Sequence, residues 1–337
     1  MSTRPERFLV TGALGCIGAW TVRALVKEGA QVSAFDVGQD ARRLAMIMSP
    51  DEFTKVRFET GDITDLAALE RVIDANEVTN VIHLAALQVP FCRADPPRGA
   101  LVNVVGTVNV FEAVKRRAAR MAPVVYTSSI AVHTVDDADP LTGRLTTTAT
   151  QHPPNHYGVY KQANEGNARI YWLEDGLSSV GVRPMTVYGV GRDQGMTSGP
   201  TKAIVSAVLG RPYRVPFRGP TLYQYAGDVA RTLVAASRSS LDGAHVFKLP
   251  GVVADGPALA AAIDAVVPGA AELIEFDGGE LPFPSEIDHD GIEAIEPPVV
   301  TPLVDGIAAS VAIYRTLARD GQLYAADHGL EPVVTAI

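Results

Sequence analysis

Only two cysteines, Cys16 and Cys92, occur in the 337-residue chain, too few for a disulfide framework, and a reducing cytoplasm is the expected home. Positive charge is not in excess either. Lys and Arg number 29 against 38 Asp and Glu, a formal net charge of −9, which argues against a nucleic-acid binder needing a basic face. No apolar run approaches the ~18 residues of a membrane span. The start, "MSTRPERFLVTGALG", passes directly into a strand and a glycine turn, so no secretory leader is expected. No internal repeat stands out. Neither does a metal site: His152 and His156 in "QHPPNHY" lack a companion cysteine or carboxylate cluster, and His83, in an apolar strand, reads as a packed core histidine. What is present is ordinary globular composition, 47% hydrophobic and 20% charged, enough for one large domain or two.

The first half alternates short apolar runs with helical segments. "RFLVTG", "AQVSAFD", "VTNVIHLAA" and "APVVYTSS" read as strands, and "SSVGVRPMTVYG" as another. "CIGAWTVRALVKEG", "TDLAALERVIDAN", the long "ALVNVVGTVNVFEAVKRRAA" and "HYGVYKQANEGNARIYWLEDG" read as helices. Strands apolar on both faces, alternating with helices, predict an α/β fold with a parallel sheet covered on both sides. After about residue 190 the pattern turns irregular. "RPYRVPFRGPTLYQYAGD" is rich in Pro, Arg and aromatics, "VARTLVAASRSS" and "GAHVFKLPG" resume a helix and a strand, and the proline-rich C-terminal part predicts a smaller cap.

"LVTGALGCIGAW" places Gly12, Gly15 and Gly18 between the first strand and the first helix. Gly12 can take positive φ, Gly15 lets backbone amides approach a pyrophosphate, and Gly18 permits close helix–sheet contact. Asp36, ending the second strand in "SAFD", can accept hydrogen bonds from an adenosine ribose and would repel a 2′-phosphate. NAD is thus favoured over NADP, although Arg42 and Arg43 follow a few residues on. Further along, "YGVYK" sets Tyr157 and Lys161 four residues apart, on one face of a helix. Ser129, with Ser128 as the neighbouring alternative, lies just past a strand's carboxyl end, the active edge of an open parallel sheet.

With its G-x-x-G-x-x-G spacing the chain resembles the extended branch of the short-chain dehydrogenase/reductase superfamily, the NAD-dependent epimerase/dehydratase family. The resemblance continues through "GDITD", "VIHLAA", "NVVGTVNVFEA", "YTSS", "YGVYK", "VRPMTVYGVG" and a weaker "GDVA" at 227–230. It implies a Rossmann-type doubly wound sheet with a C-terminal substrate-binding cap. Residues 1–182 would form the NAD-binding domain, with 220–250 returning to it, and 183–219 and 251–337 the cap. Gly12, Gly15 and Gly18, with Cys16 and Ile17, would hold the pyrophosphate, Asp36 the adenosine ribose, and Asp62 and Ile63 the adenine. Leu84, Ala85 and Ala86 would pass beneath the nicotinamide ribose, and Asn103 belongs to the same cofactor-binding set. Ser129, Tyr157 and Lys161 would be catalytic, the last two also touching the cofactor. A free tyrosine, with pKa about 10, is a poor base at neutral pH, so a nearby ammonium and the nicotinamide charge are expected to favour tyrosinate. The apolar stripes at 101–117 and 158–172 read as packing surfaces, and the resemblance implies that the helices carrying them pair across a homodimer.

Two departures stand out. Members of that family acting on nucleotide sugars usually carry Asn where this chain has Thr186, and Arg near Thr221 to clamp the phosphates. Arg192, Arg211, Arg214 and Arg218 are near in sequence but out of register. The expectation is therefore an NAD-dependent oxidoreductase taking a hydride from a secondary alcohol of a small sugar-like molecule: a free sugar, sugar acid or polyol. The alternative is a UDP-sugar 4-epimerase with tightly bound NAD, and a non-catalytic NAD-binding protein is more remote. A dehydratase lacks its acid–base pair in "SSIAVHT". Substrate contacts are expected in "LQVPFCRADPP", where Cys92 is a candidate for the cleft wall, and in "GVGRDQGMTSGP".

Overall fold

The structure, a computed structural model, describes residues 5–330. These residues form strands β1 (Arg7–Thr11), β2 (Gln31–Asp36), β3 (Val56–Thr60), β4 (Asn80–His83), β5 (Val124–Thr127), β6 (Ser179–Arg183), β7 (Thr186–Tyr188), β8 (Tyr213–Val215), β9 (Thr221–Tyr225), β10 (Ala244–Lys248), β11 (Val252–Ala254) and β12 (Ile274–Phe276). Seven of them build one sheet in the order β10-β6-β5-β4-β1-β2-β3, every pairing parallel. A parallel sheet must be covered on both faces. The helix Cys16–Lys27 packs with Ala226–Ala236, while Gly106–Lys115 packs against both Leu66–Ala75 and His156–Asp175. The buried apolar residues accordingly divide into two clusters, one including Val10, Leu25 and Ile82 and the other Leu9, Val81 and Phe111, as the alternation of side chains along each strand requires.

The chain winds outward through β2 and β3 on one side of β1 and through β4, β5 and β6 on the other. The switch point thus falls between β1 and β4, where ligands bind at the strands' carboxyl ends. β3 carries no clear signal in the sequence. It is five residues long, lies at the sheet edge, and exposes Arg57, which forms an ion pair with Glu59.

The single strand expected over "SSVGVRPMTVYG" is two. Pro184 cannot donate to a ladder, its carbonyl accepts from the Ile130 amide, and the chain leaves the main sheet. β7 then joins β9 and β11 in a three-stranded sheet, and β8 pairs with β12. The long helix expected from residue 100 is also interrupted, since Leu101–Val105 forms a π-turn between Pro96–Ala100 and Gly106–Lys115. Among the described residues, no helix is long and apolar enough to cross a membrane.

Candidate active site

A cavity of about 600 Å³ runs along the switch point, within the range of small-molecule sites. Its wall includes Gly12, Gly15 and Gly18, Asp36, Asp62 and Ile63, and Leu84 to Ala86. Ser129, Tyr157 and Lys161 stand further along the same wall.

At one end, sterics account for the glycines. Gly12 has φ +67, and a Cβ there would lie 2.6 Å from the Ala85 amide nitrogen. A Cβ on Gly18 would lie 2.2 Å from the Gly12 carbonyl oxygen. The turn therefore presses against both the loop after β4 and the first helix. That helix, Cys16–Lys27, begins with no side-chain cap and no acidic residue in its first turn, so its leading amides are free to receive an anion. The Asp36 carboxylate accepts from the Leu14 amide at 3.0 Å and the Gly38 amide at 3.1 Å, which fixes it at the end of β2. A phosphate cradle beside a fixed carboxylate suits a dinucleotide.

Asn103 does not line the cavity. Its amide is 1% exposed and clamps the loop after β4, accepting from the Leu87 amide at 2.7 Å and donating to the Leu87 carbonyl at 2.9 Å. Cys92 is likewise behind that loop, its thiol donating to the Leu87 carbonyl and pushed up in pKa by burial. Cys16 does line the cavity, but burial raises its thiol to about 11, leaving it protonated and unreactive at neutral pH. His83 sits between the hydroxyls of Thr11 and Thr107 at 2.7 and 3.0 Å, and burial drops it to about 3, a neutral core histidine.

At the other end, Asn155 caps the helix His156–Asp175. Gly158 lets that helix approach the loop after β5, since a Cβ there would lie 2.1 Å from the Ala131 carbonyl oxygen. Tyr157 and Lys161 are thereby set one turn apart, with Lys161 Nζ 5.6 Å from the Tyr157 ring centroid. Lys161 is 4% exposed and donates to the Thr127 carbonyl at 2.6 Å. Burial lowers its pKa to about 8.

Tyr157 is raised by burial, and the influences pulling it back are a hydrogen bond with Ser129 and the charge of Arg192. Arg192, which lines the cavity, thus adds a second cation near Tyr157 beside the Lys161 ammonium one helical turn away. Sequence reading noticed Arg192 only as an out-of-register cation.

The two serines separate cleanly. Ser128 is 2% exposed and its hydroxyl donates to Glu165, whose carboxylate is also gripped by Arg183 at 2.8 and 2.6 Å and by Gln151 at 2.7 Å. Ser129 faces Tyr157, its oxygen accepting from the Ala131 amide at 3.1 Å. Glu165 escaped sequence reading, although its spacing of four from Lys161 places it on the same helix face.

The family model for the NAD dependent epimerase/dehydratase family matches residues 8–248. UDP-glucose 4-epimerase of Mycolicibacterium smegmatis is 31% identical over 323 residues, spanning 93% of this chain and 100% of that protein. UDP-glucuronate 4-epimerase 6 of Arabidopsis thaliana is 32% identical over 186 residues, 54% of this chain. The chain spans 39% of that relative's length and 42% of a second such epimerase. Among solved structures, a partial-consensus L-threonine 3-dehydrogenase superposes with a TM-score of 0.80 at 22% identity, covering 92% of this chain and 100% of its own.

Proposed function

The chain belongs to the NAD-dependent epimerase/dehydratase family, extended short-chain dehydrogenase/reductase enzymes that use NAD, and from that premise we propose that it oxidises a secondary alcohol on a small hydroxylated acid of the sugar-acid type. The observation that carries this reading is the Thr186–Thr221 pair. Both residues are 0% exposed, and their hydroxyls bond each other at 2.8 Å. At the two positions where nucleotide-sugar enzymes of this family present an amide and a cation, this chain has a closed, mutually satisfied contact. Arg214, a nearby cation, is engaged with Glu275 and Asp277 at the surface. Arg192 supports an acidic substrate. It lines the cavity and its charge acts on Tyr157, so a carboxylate beside the reacting carbon would find a cation there.

In this mechanism Ser129 donates to the substrate hydroxyl oxygen and sets it against Tyr157. Tyr157 takes the hydroxyl proton, its phenolate favoured by Ser129 and by the Arg192 charge. Lys161, protonated below about pH 8, supplies a cation beneath Tyr157 and a donor for the cofactor ribose. Bound NAD would supply the hydride acceptor that this oxidation needs. The amides opening the helix Cys16–Lys27 would hold its pyrophosphate, and Asp36 its ribose.

A second reading, UDP-sugar 4-epimerisation, is favoured by the full-length match to the M. smegmatis enzyme. One experiment separates the two: the purified protein is denatured to quantify carried NAD, and the native protein is offered NAD with free sugars, sugar acids and UDP-sugars. The expected result is a protein with little bound NAD that forms NADH with a sugar acid. Stoichiometric retained NAD, and interconversion of UDP-sugars without net NADH, would replace the first reading with the second.

We also propose a homodimer. Leu101 and Val105 at the π-turn, and Val159, Ile170 and Leu173 on the helix His156–Asp175, are exposed apolar residues on neighbouring helices, Leu173 at 63%. Light scattering is expected to give a dimer for the native chain and a monomer for Leu173→Asp. A native chain that is monomeric at assay concentration overturns the assignment.

A further inference from the structure

Arg42 and Arg43 follow β2 at the place where, in dinucleotide-binding turns, a cation accommodates a 2′-phosphate. Arg43 lines the same cavity as Asp36 and Gly38. Every nitrogen of its guanidinium, however, is already committed. Nη1 donates to the Leu14 carbonyl at 3.0 Å, Nε to the Gly191 carbonyl at 3.1 Å and to Asp193 at 3.2 Å, and Nη2 to Asp193 at 2.7 Å. Arg42 donates to the other Asp193 oxygen at 3.1 Å. Asp193 comes from the loop after β7, on the substrate side of the cleft, and is 5% exposed.

We infer that Asp193 is a cofactor-specificity residue: it holds Arg43 in a closed ion-pair cluster, so that the ribose edge of the cavity meets the Asp36 carboxylate and no available guanidinium. Leu14 shows how near the two opposing groups are, because Asp36 accepts from its amide while Arg43 donates to its carbonyl. Loss of the Asp193 charge leaves Arg43 beside the cavity with its bidentate face available, and a phosphate monoester is the partner that face suits. Two carboxylates thus exclude NADP. Asp36 does so by direct repulsion, and Asp193, 150 residues from its partner in the chain, by occupying the competing cation.

The inference rests on NAD being the cofactor, and the test separates the two. Calorimetric dissociation constants for NAD and NADP are measured on the native chain, Asp193→Asn, Arg43→Gln and the double variant. Asn preserves shape and one acceptor while removing the charge. The NADP/NAD ratio of dissociation constants is expected to fall about tenfold or more in Asp193→Asn, the scale of one charge-assisted contact. The gain should shrink in high salt and vanish in the double variant. An unmoved ratio with NAD binding intact overturns the inference. Arg43→Gln gives an independent check if Asp193→Asn does not fold. With Arg43 already occupied, NADP affinity should change no more than NAD affinity, and a selective loss for NADP overturns the inference. If the native chain binds neither nucleotide, it is the cofactor reading that falls.

Discussion

Tyr157→Phe is expected to lower kcat by about a thousandfold while leaving the dissociation constant for NAD within about twofold, as general-base removal does. The phenol oxygen is the atom that takes the proton, and its loss leaves the neighbouring construction in place. Lys161 keeps its bond to the Thr127 carbonyl, and Ser129 keeps the Ala131 amide. Burial opposes ionisation of Tyr157, so the native enzyme's rate should climb with pH as the phenolate forms. The residual rate of the variant should lack that climb. Steady-state kinetics with an NAD titration decide the matter, and a variant keeping more than about a tenth of native turnover would remove Tyr157 from the base role.

The second large effect concerns stability. Glu165→Ala is expected to cost about 3–5 kcal/mol, because it breaks a buried pair and leaves Arg183 uncompensated. Both side chains of that pair are under a tenth exposed. The site has little with which to rescue the guanidinium. His133 faces it from one side, held neutral chiefly by burial and next by the Arg183 charge. Lys248, paired with Arg183 across the sheet, is lowered to about 8 by burial and by that same charge. Ser128 and Gln151 lose their acceptor as well. Glu165→Gln, which keeps an acceptor, should cost less.

The pH sense of this contribution follows from Glu165 itself. Burial alone would raise its carboxyl, but Arg183, then Ser128 and Gln151, outweigh burial and hold it below the usual glutamate value. The stabilisation is therefore present above the unfolded-chain value of about 4.3 and is lost as pH falls through the lower folded value. Denaturant midpoints for native and variant chains at neutral and acid pH measure both claims. An unfolding free energy within about 1 kcal/mol of native at neutral pH would mean that Arg183 finds other partners.

Local rules made the cofactor end legible in the sequence. The glycine turn is dictated by backbone sterics between one strand and the helix that follows, and Asp36 ends the next strand. Tyr157 and Lys161 were legible for a similar reason, since helical spacing alone puts them on one face. What could not be read were relations between distant segments. Ser128 and Ser129 are equivalent in sequence, and only Glu165, 37 residues away, claims one of them. Arg43 looks like a cofactor cation until Asp193 arrives from the far loop. Thr186 and Thr221 were visible as departures, but their closing on each other depends on β7 lying beside β9. The break at Pro184 was open to local reasoning, since proline cannot extend a ladder, and the apolar run on either side of it masked the signal.

The order of strands also sets a timetable for synthesis. β6 takes β10 as its outer neighbour, and that strand emerges only after β7, β8 and β9 have been made. Until then the nascent sheet ends at β6, whose five residues are all buried in the finished protein. An apolar strand with a free edge is a template for pairing with another chain. On the ribosome, the intervening residues 184–243 must therefore be made and kept from misassociating before the nucleotide-binding sheet can close. A chain interrupted within that stretch would carry a recognisable fold and a sticky margin.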